Sequence, residues 1–145
     1  MSVRVLIVDD QEPFREAAQL VVEVTDGFEV VGVAETGEES VISARALRPD
    51  LVLMDVNLPG IDGLAATRQI LAEPTPPVVV VLSTYEPEEY GPRVAEVGAA
   101  AYIPKSEFDP EALVRAWAAA VVLAGAEAQE DVRVGVEEWG RGRSS

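Results

Sequence analysis

The stretch Asp50-Leu51-Val52-Leu53-Met54-Asp55 decides the fold. It is a strand-length apolar run with an acid at each end. An unbroken apolar run, rather than an alternating one, is the mark of a strand covered on both faces. The same pattern recurs along the chain. Strands are predicted at Val3–Val8, Phe28–Ala34, Asp50–Met54, Val78–Ser83 and Ala101–Pro104. Val, Leu and Ile dominate them, as strand propensity favours.

Helical patterns fill the gaps. Phe14, Ala17, Ala18, Val21 and Val22 lie on one helical face, with Pro13 at the first helical position. Asp109-Pro110 reads as an N-cap followed by Pro. Behind it, Leu113, Ala116, Trp117, Ala120, Val121 and Ala124 repeat the same spacing. Helices near Glu38–Leu47 and Gly63–Ala72 are less regular. The fourth helix is predicted to start at Pro92, or to kink there, because an interior proline breaks the ladder.

Five strands alternating with five helices imply right-handed crossovers and a parallel sheet. The simplest arrangement is an α/β doubly wound sandwich with strand order 2-1-3-4-5 and five flanking helices. Residues 1–125 form this domain. Residues 126–145 read as a tail or linker stub: five acids, three Arg, an alternating Val132-Val134-Val136 and a Gly/Arg/Ser end.

Composition narrows the chemistry. The 145 residues are 48% hydrophobic, which fits a folded core. There is no Cys and no His, so thiolate and imidazole metal sites and His-based nucleophile pairs are excluded. Twenty-six acids against 11 bases leave a net charge of −15. That balance disfavours nucleic acid and anionic membranes as direct partners. No run approaches the ~20 apolar residues of a membrane span. The N-terminus shows no signal-peptide layout. A cytoplasmic protein is expected.

In such a fold, ligands bind beyond the carboxyl ends of the strands. Asp9 and Asp10 follow the first strand, and Asp55 follows the third. Ser83 ends the fourth, and Lys105 follows the fifth. Singly, each is an ordinary loop residue. Together they bring three carboxylates, a hydroxyl and an ammonium to one rim. Clustered carboxylates repel one another unless a cation joins them, and an oxygen-only donor set suits Mg²⁺.

The chain resembles a bacterial two-component response-regulator receiver domain of CheY-like fold. The resemblance rests on Val5-Leu6-Ile7-Val8-Asp9-Asp10, the string Leu53–Gly63, Val81-Leu82-Ser83, and Gly98–Lys105, in family order over residues 3 to about 125. Lys105-Ser106 is similar to the NarL/FixJ-like branch. The resemblance implies that Asp55 is the phosphoacceptor and that a sensor histidine kinase is the donor. Asp9, Asp10, Asp55 and the Asn57 backbone carbonyl would serve Mg²⁺. Ser83 and Lys105 would bind phosphoryl oxygens. Ser83 and Tyr102 would switch the surface of the fourth helix, fifth strand and fifth helix. A phosphorylation-dependent homodimer is also implied. Thr84 stands where the family usually carries a smaller residue, which implies narrower access to Asp55. The chain would catalyse only its own phosphorylation and dephosphorylation.

Regulators of that branch carry a helix-turn-helix domain after the receiver, and nothing basic or of that pattern follows Gly125. The expectation is therefore a stand-alone receiver or the N-terminal part of a NarL/FixJ-type transcription factor. Three alternatives compete. A haloacid-dehalogenase-like phosphatase would need Asp-x-Asp after the first strand, where this chain has Asp9-Asp10-Gln11. A flavodoxin-like cofactor binder would need a phosphate loop in place of Gln11-Glu12-Pro13. A pseudo-receiver that never accepts phosphate is opposed by the complete residue set.

Overall fold

The computed structural model describes residues 2–84 and 87–123, with backbone only for 87–91. The elements run β1 (Val3–Val8), α1 (Glu12–Glu23), β2 (Phe28–Ala34), α2 (Gly37–Leu47), β3 (Leu51–Asp55), α3 (Gly63–Leu71), β4 (Val78–Ser83), α4 (Pro87–Val97) and β5 (Ala101–Pro104). A 3-10 turn at Lys105–Glu107 follows, then α5 over 110–123. The five parallel strands stand in the order β2-β1-β3-β4-β5.

Strand alternation divides the core into two layers. Leu6, Val8, Val52, Met54, Val79 and Val81 pack with Val41, Leu64, Ile70, Val94 and Val97 from α2, α3 and α4. Val5, Ile7, Leu51, Leu53, Val80 and Leu82 pack with Ala18 and Val22 of α1 and Leu113 of α5. Leu6, Leu51, Leu53 and Leu82 are essentially buried, each contributing about 1.5–3 kcal/mol. Trp117 joins the second layer as a half-buried residue, and Tyr102 the first.

Three boundaries differ from the sequence expectation. β3 runs Leu51–Asp55, one residue later than Asp50–Met54. The Asp50 carboxylate accepts the Arg4 N–H at 2.9 Å, and its own N–H donates to the Arg4 carbonyl at 2.8 Å. Asp50 thus caps the strand, while Asp55 pairs with Leu82 inside the ladder. α1 begins at Glu12, so Pro13 is its second residue, and Ala17 on the expected apolar face is exposed. α4 begins at Pro87 and passes through Pro92. The ladder bond that Pro92 cannot make is offset by burying Val94 and Val97, so packing overrides the local break. The tail at 126–145, with its alternating valines, lies outside the described residues.

The register sets the site. Val8 pairs with Met54, so Asp9 stands level with Asp55. Asp55 pairs with Leu82, and the next residue, Ser83, pairs with Pro104. Lys105 follows directly. Four strands therefore deliver their polar residues to one rim.

Candidate phosphoacceptor site

Asp9 and Asp55 are buried, at 1% and 4% exposure, while Asp10 is exposed. One carboxylate oxygen from each of the three lies within 4.8 Å of the others. The Lys105 ammonium stands 2.7 Å from Asp9 Oδ2 and 3.5 Å from Asp55 Oδ2. The short contact satisfies charge but misses hydrogen-bond geometry, so Asp9 Oδ2 is buried without a hydrogen bond. Asp9 Oδ1 accepts the Gln11 N–H at 2.8 Å, and Asp55 Oδ1 accepts the Asn57 N–H at 3.4 Å.

Burial pushes the Asp55 carboxyl up from its ordinary 3.8 to about 6. The Asp9 carboxylate pushes it the same way. Lys105 and the Asn57 N–H pull it down without prevailing. A single ammonium thus faces more negative charge than it can balance. Three carboxylates, one with an unsatisfied buried oxygen, make an oxygen-only donor set that fits a hard divalent cation.

The predicted residues divide into two groups. Asp9, Asp10, Asp55 and Lys105 meet directly, and Asn57 joins them through its N–H. Ser83 is fully buried one step past the partner of Asp55. Thr84, the next residue, is exposed at the rim. Tyr102 is not in the carboxylate cluster. It pairs with Val81 and packs against the layer formed by α2, α3 and α4.

Several supporting residues were not singled out from sequence. The Phe14 ring lies 4.5 Å under the Lys105 ammonium and tilts against Phe108, giving the lysine an aromatic floor. Phe14 showed only as part of an apolar helix face. The nearly buried Arg15 donates from Nη1 to the Asp9 carbonyl at 2.8 Å and lies 3.9 Å from Glu35. Gly63 opens α3 against the Asp55 backbone: a Cβ there would stand 1.9 Å from the Asp55 carbonyl oxygen. Asp62 caps α3 by accepting the Ala65 N–H at 2.8 Å.

Comparison with known proteins adds the decisive observation: the model of the response regulator receiver domain matches residues 5–118. The chain belongs to the response-regulator receiver family. It is 44% identical over 103 residues to the response regulator GacA of Pseudomonas protegens, covering 71% of this chain and 48% of that protein. It is 36% identical over 115 residues to the transcriptional regulatory protein DegU of Brevibacillus brevis, covering 79% and 48%. The receiver thus spans about half the length of these relatives. Protein-glutamate methylesterase/protein-glutamine glutaminase 2 of Anaeromyxobacter dehalogenans also matches, 44% over 97 residues, which is 67% of this chain but 28% of that protein.

Solved receivers share the fold. A LuxR-family two-component response regulator from Aurantimonas superposes with a TM-score of 0.75 at 31% identity, covering 86% of this chain and 87% of its own. The receiver domain of the NarL response regulator from Mycobacterium tuberculosis gives 0.73 at 26%, covering 87% and 97%. Receivers are modules of phosphorylation-controlled signalling and bind Mg²⁺ at an acidic pocket such as this one. The phosphatase and flavodoxin-like alternatives are therefore set aside. Among the described residues, no helix is long and apolar enough to cross a membrane.

Proposed function

We propose that this receiver accepts a phosphoryl group on Asp55 from a sensor histidine kinase. The observation that carries the reading is the buried Asp55 carboxylate, with Lys105 at 3.5 Å and carboxylates of Asp9 and Asp10 beside it. Asp9, Asp10, Asp55 and the Asn57 carbonyl would hold Mg²⁺. Bound there, the ion supplies charge neutralisation for the transferring phosphoryl group.

The protein's own part is positioning. Asp55 Oδ attacks phosphorus as the bond from phosphorus to the phosphohistidine nitrogen breaks. The electron pair leaves with the imidazole, and an acyl phosphate remains on Asp55. Lys105 balances an oxygen of the transferred group, with Phe14 and Asp9 holding its side chain in place. Ser83 donates to another oxygen, and Thr84 limits the approach of donors and water. The new dianionic group draws Ser83 and then Tyr102, on the α4 side of the sheet, into an altered packing. The α4-β5-α5 surface reports the change, including to a second copy in a homodimer.

The chain catalyses only its own phosphorylation and dephosphorylation. It works in the cytoplasm, and its net charge of −15 argues against contact with nucleic acid through this domain. The name of the DegU relative, a transcriptional regulatory protein, supports a receiver that governs a transcriptional output, either as a separate module or within a longer protein. The test is intact-mass analysis after incubation with Mg²⁺ and acetyl phosphate. One added phosphoryl group is expected, absent with EDTA and in Asp55→Asn. No gain in the wild type, together with no binding of beryllofluoride, would identify a pseudo-receiver.

A further inference from the structure

Glu38 lies in the first turn of α2, on the other side of the loop that follows Asp55. Its Oε2 accepts the Ile61 N–H at 3.2 Å. Its Oε1 fills the space above Gly60: a Cβ on Gly60, which holds φ +76°, would stand 2.3 Å from that oxygen. The preceding residue makes the reciprocal contact. A Cβ on Gly37 would stand 2.3 Å from the Ile61 carbonyl oxygen and 2.4 Å from the Ile61 side chain. Two glycines, one on each element, thus let α2 and the 56–62 loop interlock at backbone distance. Other hydrogen bonds hold the ends of the loop. Val56 donates to Leu82, the Gly63 N–H closes on Val56, and Asp62 caps α3. Between them, Leu58 and Ile61 pack their side chains against the core, and Glu38 accepts the Ile61 backbone N–H.

Resting on the phosphoacceptor reading above, we infer that Glu38 is a positioning residue for the cation site, acting through the Pro59-Gly60-Ile61 backbone. The loop carries Asn57, whose N–H already touches Asp55 and whose carbonyl faces a strict requirement if it is to ligate a cation. A free 56–62 loop would spread that carbonyl over several positions, and ordering it would count against every binding event. The clasp removes that cost in advance, by a carboxylate-to-backbone hydrogen bond. Gln at position 38 keeps an acceptor oxygen there and serves the same role without the charge.

The test is amide NMR on wild type, Glu38→Ala and Glu38→Gln, since truncating this exposed side chain leaves the core intact. Hydrogen exchange of the Ile61 amide is read in EDTA, and Mg²⁺ affinity by titration. Glu38→Ala should exchange Ile61 faster without metal and should weaken Mg²⁺ roughly tenfold, the low end for supports of a ligand shell. Glu38→Gln should restore both. Gly37→Ala, which introduces a better helix former but pushes the Ile61 carbonyl, should also weaken Mg²⁺. Wild-type Mg²⁺ affinity in Glu38→Ala overturns the inference, as does a Glu38→Gln as weak as Glu38→Ala. A wild type that binds no Mg²⁺ overturns the phosphoacceptor reading itself, a result told apart by the unliganded exchange data.

Discussion

The Lys105 ammonium lies closer to Asp9 than to Asp55, at 2.7 Å against 3.5 Å. In this state the lysine belongs mainly to Asp9, and Asp55 has only partial compensation. All three groups are buried, so each depends on the others. Lys105→Met should remove the ammonium paired with both buried carboxylates and destabilise the protein at pH 7 by about 3 kcal/mol, as breaking a buried pair does. The loss should shrink at pH 5, where protonation relieves the repulsion. Urea unfolding at both pH values checks this, and equal losses would count against it.

Asp55 also sets a pH dependence. Its folded value, about 6, lies above the ordinary 3.8 of an unfolded chain. Between those values the folded protein holds more protons than the unfolded one. Its contribution to stability is therefore present below about 4, declines as pH rises through about 6, and is level above. In EDTA, wild type minus Asp55→Asn should show this fall from pH 4 to 7, with Asp55→Asn the more stable at pH 7. Thermal melts across that range measure it. A difference that stays flat or rises would place the Asp55 value at or below normal.

Asp10 separates metal binding from folding. It is exposed, so Asp10→Asn should leave stability in EDTA within about 0.5 kcal/mol of wild type, as for ordinary surface substitutions. Mg²⁺ should stabilise the wild type by about 1.4 kcal/mol at ten times its Kd, from mass action alone. Asp10→Asn should lose that gain. Melts with and without Mg²⁺ decide, and an undiminished gain would remove Asp10 from the ligand set.

What could be read in the sequence follows from locality. Asp9, Asp10, Asp55 and Lys105 each sit beside a strand-length apolar run, so the runs locate them and a parallel sheet brings them together. Glu38 has no such marker, because its partner Ile61 is 23 residues away on another loop. Arg15 is hidden for a similar reason: its contacts are a carbonyl of β1's end and an acid after β2. Pro92 misleads for the opposite reason. It is a strong local signal overruled by the burial of Val94 and Val97. The one-residue shift of β3 comes from Asp50 bonding to Arg4, a contact 46 residues apart.

Gly63 is a steric requirement next to Asp55. Any Cβ there would meet the Asp55 carbonyl at 1.9 Å and the Asp55 carbonyl carbon at 2.8 Å, both backbone atoms that cannot rotate away. Gly63→Ala should cost about 2 kcal/mol, the scale of overpacking, despite the better helix propensity of Ala. It should also slow phosphorylation by displacing Asp55. Stability and intact-mass time courses test both, and a more stable variant with an unchanged rate would refute the close contact.

Thr84 follows Ser83 directly at the end of β4. Ser83 before it is fully buried, while Thr84 is exposed at the rim of the same strand end. On the proposed reading, its β-branched side chain narrows the approach to Asp55, and its exposure means that it does not support the core. Thr84→Ala should leave stability within about 0.5 kcal/mol and speed both acetyl-phosphate labelling and hydrolysis of the acyl phosphate. Both rates are expected to rise together, because donor and water use the same approach to Asp55. A rise in only one would mean that Thr84 contacts a reactant and does more than shape the opening. Unchanged rates in both would show that the opening is set elsewhere.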